Sequence, residues 1–145
     1  MTKTLVLFCG GTISMHKNPK THALDVSHNA DQLLELAPRA KEICDIDVQF
    51  VDNIDSSNMV HTHWETIASI IEERYTQYDG FVITMGTNTM AYCSAALSFA
   101  LRGIGKPVIL TGAQIPAESI STDARNNFVN ALRLSTIDLS GVFVV

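Results

Sequence analysis

The feature that most constrains this chain is an alternation. Short, β-rich apolar runs at Thr4 to Cys9, Val48 to Val51, Phe81 to Thr84, Val108 to Thr111 and Val142 to Val145 are separated by longer helix-compatible stretches. Such spacing is the pattern of βαβ units. The runs are continuously apolar rather than alternating, as expected of parallel strands covered by helices on both faces. The predicted fold class is therefore α/β, a three-layer Rossmann-like or flavodoxin-like domain with a mostly parallel sheet and right-handed crossovers.

Four helices fit between the strands: Asp31 to Leu36, Thr62 to Tyr75, Ala91 to Leu101 and Asp123 to Leu134. Thr62 and Glu65 stand at capping-box spacing. Gly103 supplies a C-terminal stop, and Ser121 or Thr122 lies near the start of the last helix. Ser14 to His28 is polar, holds Pro19 and shows no clear period, which predicts a mobile loop directly after the first strand.

A chain of 145 residues, 46% hydrophobic and 17% charged, has the make-up of one globular domain rather than a disordered segment. With a net charge of -5 and scattered basic residues, it has no electrostatic footprint for nucleic acid. No run approaches the roughly 18 apolar residues of a membrane span, and Gly10-Gly11 cuts the first apolar run too short for a secretion signal. A soluble, cytoplasmic protein without a membrane partner is expected. Cys9, Cys44 and Cys93 are odd in number and widely spaced, which predicts buried, reduced thiols. His16, His22, His28, His61 and His63 match no familiar ligand spacing, so no metal is expected. The scattered acids likewise give no paired-carboxylate site.

In a parallel α/β sheet the loops at the C-terminal ends of the strands build the site. After the first strand stands Gly10-Gly11-Thr12-Ile13-Ser14, where two glycines permit close backbone approach; a tight turn or a phosphate cradle would use the same residues. After the third comes Met85-Gly86-Thr87-Asn88-Thr89-Met90, whose threonines could present a hydroxyl or simply cap the next helix. Asn53 to Met59, after the second strand, suits either an Asx-type turn or a polar ligand clamp.

In combination, GGTIS at Gly10 to Ser14, DSSNM at Asp55 to Met59, MGTNTM at Met85 to Met90, LTGAQIP at Leu110 to Pro116 and SxDARNN at Ser121 to Asn127 resemble the L-asparaginase family. The likeness spans essentially the whole chain, and the MAYCSAALSFAL continuation resembles the cytoplasmic type more than the secreted one. It implies an amidohydrolase that converts L-asparagine to L-aspartate and ammonia without metal or organic cofactor, as a homo-oligomer of two-domain subunits. Thr12 matches the nucleophile, whose acyl-enzyme water hydrolyses, and Thr87 matches the second catalytic threonine. Backbone N–H groups beside them would stabilise the oxyanion. Gly11, Ser56, Ser57, Gly86, Asn88 and Ala113 match substrate-binding positions. Ser56 and Ser57 would hold the α-carboxylate, and Ala113 would offer a backbone contact to the leaving amide.

The same resemblance makes residues 1 to 145 the N-terminal catalytic domain, ending within the fifth strand and without the family's C-terminal domain. The family's catalytic lysine belongs to the loop beyond that strand. Asn88 stands where the family has an aspartate that meets the substrate ammonium, and Met85 where it more often has histidine. Ser14 to His28 lacks the family's tyrosine. A hydrogen bond to an ionised partner contributes roughly 1.5 to 3 kcal/mol, so Asn88 should weaken substrate binding. The alternatives are a noncatalytic small amino-acid-binding or interaction domain and, on fold alone, a flavodoxin-like nucleotide binder.

Overall fold

The computed structural model describes residues 1–17, 24–26 and 30–145. Strands β1 (Lys3–Phe8), β4 (Asp45–Phe50), β5 (Gly80–Thr84), β6 (Pro107–Thr111) and β7 (Gly141–Val144) form one sheet in the order β4-β1-β5-β6-β7, and every neighbouring pair is parallel. Counted within this sheet the order is 2-1-3-4-5, the flavodoxin-like arrangement, and its switch point falls between β1 and β5.

The central strands β1, β5 and β6 are mostly apolar and almost wholly buried because both faces are covered. Leu5 and Leu7 of β1, Phe81 and Ile83 of β5, and Val108 and Leu110 of β6 pack with α2 (His61–Arg74) and α3 (Met90–Ala100). Val6, Phe8, Val82 and Ile109 face the other way, onto Leu33 of α1 (Ala30–Glu35) and Phe128, Ala131 and Leu132 of α4 (Ala124–Leu134). Period-two alternation thus divides the apolar residues between two cores rather than between core and solvent. On the edge strand β4, Asp45 and Asp47 are exposed, and Asp47 pairs with Lys3 at 2.8 Å and accepts the Tyr78 hydroxyl at 2.8 Å. These acids occupy the first half of β4, which is why its apolar run in the sequence begins only at Val48.

The handedness departs from expectation. From β1 the chain steps out to β4 by α1 on one face, returns across β1 to β5 by α2 on the other, and continues to β6 by α3 on that second face. Reversing both direction and face preserves hand, so these three connections agree, and the preference of βαβ units makes that hand right. From β6 to β7 the direction is unchanged but α4 lies on the first face, so this crossover is left-handed. The long segment 112–123 gives the chain room to pass round the end of the sheet before α4 begins.

Two local expectations are also corrected. The segment after β1 begins with a single 3-10 turn, Thr12–Ser14, and then carries β2 (Met15–Lys17), antiparallel to β3 (Leu24–Val26) with His16 opposite Asp25. Three-residue strands are too short for alternation to show in sequence. Pro19, His22 and His28 lie outside the described residues. At the start of α2 the helix opens one residue earlier than expected, and Val60 N–H donates to His63 Nδ1 at 3.0 Å in place of a Thr62–Glu65 box. Thr122 does act at the start of α4, its Oγ1 accepting Ala124 N–H at 3.1 Å.

No helix among the described residues is long and apolar enough to cross a membrane. Cys9, Cys44 and Cys93 are free and buried, and burial pushes the Cys93 thiol up to about 12 and Cys9 further still. Both are packing residues.

Candidate functional site

The turns after β1 and β5 meet at the switch point and, with the turn after β4, enclose a cleft of about 180 Å³ lined by Gly11, Thr12, Met15, Asn53, Ile54, Asp55, Ser56, Gly86, Thr87 and Asn88. Glycine is what lets them meet. Gly11 has φ 92° and ψ 168°, a conformation essentially restricted to glycine, and a Cβ there would lie 2.5 Å from both Gly86 N and Met85 C. A Cβ on Gly86 would lie 2.6 Å from Ser56 Oγ. The turns after β1 and β5 are therefore packed backbone against backbone, the turn after β4 presses the Ser56 side chain onto Gly86, and Thr12 and Thr87, each the residue after such a glycine, open on the same space.

The turn after β4 satisfies both sequence interpretations. Asp55 Oδ1 accepts Ser57 N–H at 2.8 Å, the Asx-type geometry, and starts a 3-10 turn over Ser56–Asn58. The same residues form a wall of the cleft. Ser56 is 2% exposed, and its Oγ is buried with no hydrogen-bond partner among the described residues. A buried hydroxyl left unpaired costs of the order of 1–3 kcal/mol, so its presence on a cleft wall marks a place for a ligand's polar atom.

Thr87 does not cap α3. Its Oγ1 accepts the Gln114 Nε2–H at 3.0 Å, while Thr89, the residue preceding the helix, donates its hydroxyl to Ser56 O at 2.8 Å. Asn88 Nδ2 donates to Ser57 Oγ at 2.8 Å. The Thr89 and Asn88 bonds tie the β5 turn to the β4 turn, with Ser57 and Asn88 meeting at the rim, and the Gln114 bond ties it to the segment after β6.

Of the expected site residues, the structure brings Gly11, Thr12, Ser56, Gly86, Thr87 and Asn88 together in the cleft lining, with Ser57 at the rim. Ala113 is not part of that lining. It is 3% exposed and belongs to the core beneath α4. The residue of this segment that reaches the cleft side is Gln114, which stands inside the LTGAQIP stretch but matches no substrate-binding position named from the resemblance. Asn53, Ile54 and Asp55 fall within the Asn53 to Met59 stretch that suited a turn or a clamp, whereas Met15 was missed and has no residue-type signal that distinguishes it.

The segment 112–123 that carries Gln114 is pinned by a carboxylate. Asp123 accepts the N–H of Gln114 at 3.0 and 3.2 Å and of Ile115 at 3.0 Å, and Asn127 Nδ2 donates both to Asp123 Oδ2 and to Gly112 O. Burial works to raise the Asp123 pKa, but the backbone N–H bonds from Gln114 and Ile115 outweigh it and hold the carboxyl below its ordinary range.

Electrostatically the cleft is sparse. Among the described residues its only ionisable lining side chain is Asp55. No group of three His, Cys, Asp or Glu residues that could hold a metal ion comes together among the described residues.

Fold and site together define a flavodoxin-like α/β domain that presents two threonine hydroxyls at its switch point. The chain belongs to the asparaginase family: the family model described as "Asparaginase, N-terminal" matches residues 3–145. It is 42% identical over 130 residues to L-asparaginase 1 of Escherichia coli K12, covering 88% of this chain and 38% of that protein. It is 39% identical over 141 residues to a glutamyl-tRNA(Gln) amidotransferase component of Pyrococcus horikoshii, covering 97% of this chain and 32% of that one. The thermostable L-asparaginase from Thermococcus kodakarensis superposes with a TM-score of 0.89 at 36% identity, over 99% of this chain and 43% of that structure. The chain thus spans well under half the length of these relatives.

Proposed function

We propose that these residues form the nucleophile-bearing domain of an amidohydrolase that converts L-asparagine, or a related small ω-amide, to the acid and ammonia. The observation that carries this is the meeting of Thr12 and Thr87 in one cleft, through glycines that admit no side chain. Thr12 Oγ attacks the amide carbon; the C–N bond then breaks and nitrogen leaves as ammonia after taking up a proton. Water hydrolyses the resulting ester and returns the threonine. Backbone N–H groups of the two turns serve the oxyanion, the Ser56 hydroxyl takes the α-carboxylate with Ser57, and Ala113, whose methyl is in the core and which does not line the cleft of this structure, offers only its backbone, to the leaving amide.

A threonine hydroxyl is a weak nucleophile until a base or cation acts on it. Among the described residues the lining holds one carboxylate, Asp55, whose Oδ1 accepts the Ser57 N–H, and no cation, so we place the activating group outside the lining. The family's catalytic lysine is the group we assign. In this proposal residues 1–145 are an N-terminal catalytic domain that works with the family's C-terminal domain, in a homo-oligomer, in the cytoplasm, without cofactor and without nucleic acid or membrane as partner.

A second reading, a binding domain without turnover, is favoured by Asn88, whose amide cannot supply the charge an ammonium prefers. Titration calorimetry with asparagine and aspartate, beside an ammonia assay on the same sample, separates the two. Heat with ammonia release supports the hydrolase; heat without ammonia supports the binding domain.

A further inference from the structure

The Thr87 side chain is gripped from two directions by one segment. A Cβ on Gly112 would stand 3.1 Å from Thr87 Cγ2, so the methyl packs against the backbone of Gly112. On its other branch the hydroxyl accepts Gln114 Nε2–H at 3.0 Å. A threonine χ1 has three staggered wells, and fixing the methyl and the hydroxyl together leaves one of them. Gln114 is itself held: Asp123 takes its N–H and that of Ile115, Thr122 donates to Ile115 O at 3.0 Å, and Asn127 ties Gly112 O at 3.0 Å. The amide that meets Thr87 is therefore carried on an anchored stretch of backbone.

The polarity of this contact matters more than its strength. A hydroxyl has one proton and two acceptor lone pairs. When Thr87 Oγ1 accepts from an amide N–H, its own proton is not spent on Gln114 and is available to an acceptor in the cleft; accepting one bond also strengthens the one donated. We propose that Gln114 is a positioning residue for the reaction: it fixes the Thr87 rotamer and obliges that hydroxyl to act as a donor toward the cleft. This rests on the amidohydrolase function proposed above, and the test keeps the two apart.

The test uses the full-length protein with 13C-labelled threonine methyls, comparing wild type, Gln114→Leu and Gln114→Glu. Leucine removes the donor. Glutamate keeps the reach but, when ionised, can only accept, which turns the Thr87 proton away from the cleft. The Thr87 methyl shift, which reports χ1, should move toward a rotamer-averaged value in Gln114→Leu and stay at its wild-type position in Gln114→Glu. With asparagine as substrate, kcat should fall about a hundredfold in both, the scale of a misplaced reacting group, with KM within about twofold of wild type. An unmoved methyl shift in Gln114→Leu, or wild-type kcat in Gln114→Glu, overturns the proposal. If the wild-type protein releases no ammonia from any amide tried, the hydrolase function fails, and the methyl shift alone decides the positioning claim: a shift in Gln114→Leu supports it and its absence refutes it.

Discussion

The two threonines stand on equivalent turns of neighbouring parallel strands, yet the protein holds them by different means. Thr12 follows a glycine whose backbone lies against Met85 and Gly86, and it begins a single 3-10 turn that runs into the short β2–β3 ribbon. Steric exclusion fixes that wall. Thr87 sits in a mesh of side-chain bonds: Gln114 to its hydroxyl, Asn88 to Ser57, Thr89 to Ser56 O, with Asp123 and Asn127 anchoring the segment behind. Hydrogen bonding fixes the second wall. A backbone contact tolerates almost no change, whereas a network can lose one member and keep its shape, so the two walls should fail differently.

The largest expected effect is therefore on the first wall. Gly11→Ala puts a Cβ into the Met85–Gly86 backbone at a φ that alanine avoids. Strain and overpacking together should destabilise by roughly 3 kcal/mol or more, read from the urea midpoint at unchanged m. A loss under about 1 kcal/mol would break the distinction between the walls.

The second wall should respond locally. Asp123→Asn removes an acceptor for the Gln114 and Ile115 N–H groups, and amide exchange at those two positions should quicken while the strands β1 and β5 keep their protection. The pH dependence has a definite sign. The carboxyl titrates below its ordinary range when folded, so its contribution is complete above about pH 4 and is lost as pH falls through the lowered folded value. Protection at Gln114 and Ile115, taken relative to the intrinsic exchange rate at each pH, should fall in that acid window in wild type and be insensitive to it in Asp123→Asn.

The smallest structural effect is expected at the rim. Asn88→Ala deletes one exposed bond to Ser57 and should cost at most about 0.5–1.5 kcal/mol. Asn88→Asp sharpens the comparison on the functional side. A carboxylate at that place would meet a substrate ammonium, and the KM for asparagine should drop about tenfold; an unchanged or higher KM would show that Asn88 does not face the amino group.

Much of this was legible in the sequence, and the physical reason differs between elements. The central strands could be read because burial on both faces makes them unbroken apolar runs, and the glycine–threonine turns because strand ends in parallel sheets are where sites form. The β2–β3 ribbon was invisible because three residues carry no period. The left-handed step from β6 to β7 could not be seen, since nothing in α4's composition says which face of the sheet it covers. Gln114 was passed over because a glutamine in a loop has no distinguishing type. Its role comes from Asp123, nine residues further along, which takes its N–H, and from Asn127, thirteen residues along, which holds Asp123 and Gly112 O; these groups come together only in three dimensions.

The central claim, that Thr12 is the attacking group and Thr87 its positioned companion, is tested most directly by following ammonia release from asparagine in the full-length protein and quenching in acid for peptide mass analysis. Thr12→Ala should lose at least about a thousandfold in turnover. In Thr87→Val an aspartyl ester should build up on the peptide containing Thr12. Turnover retained in Thr12→Ala, or an acid-quenched adduct found on Thr87 of the wild-type protein, would contradict the account.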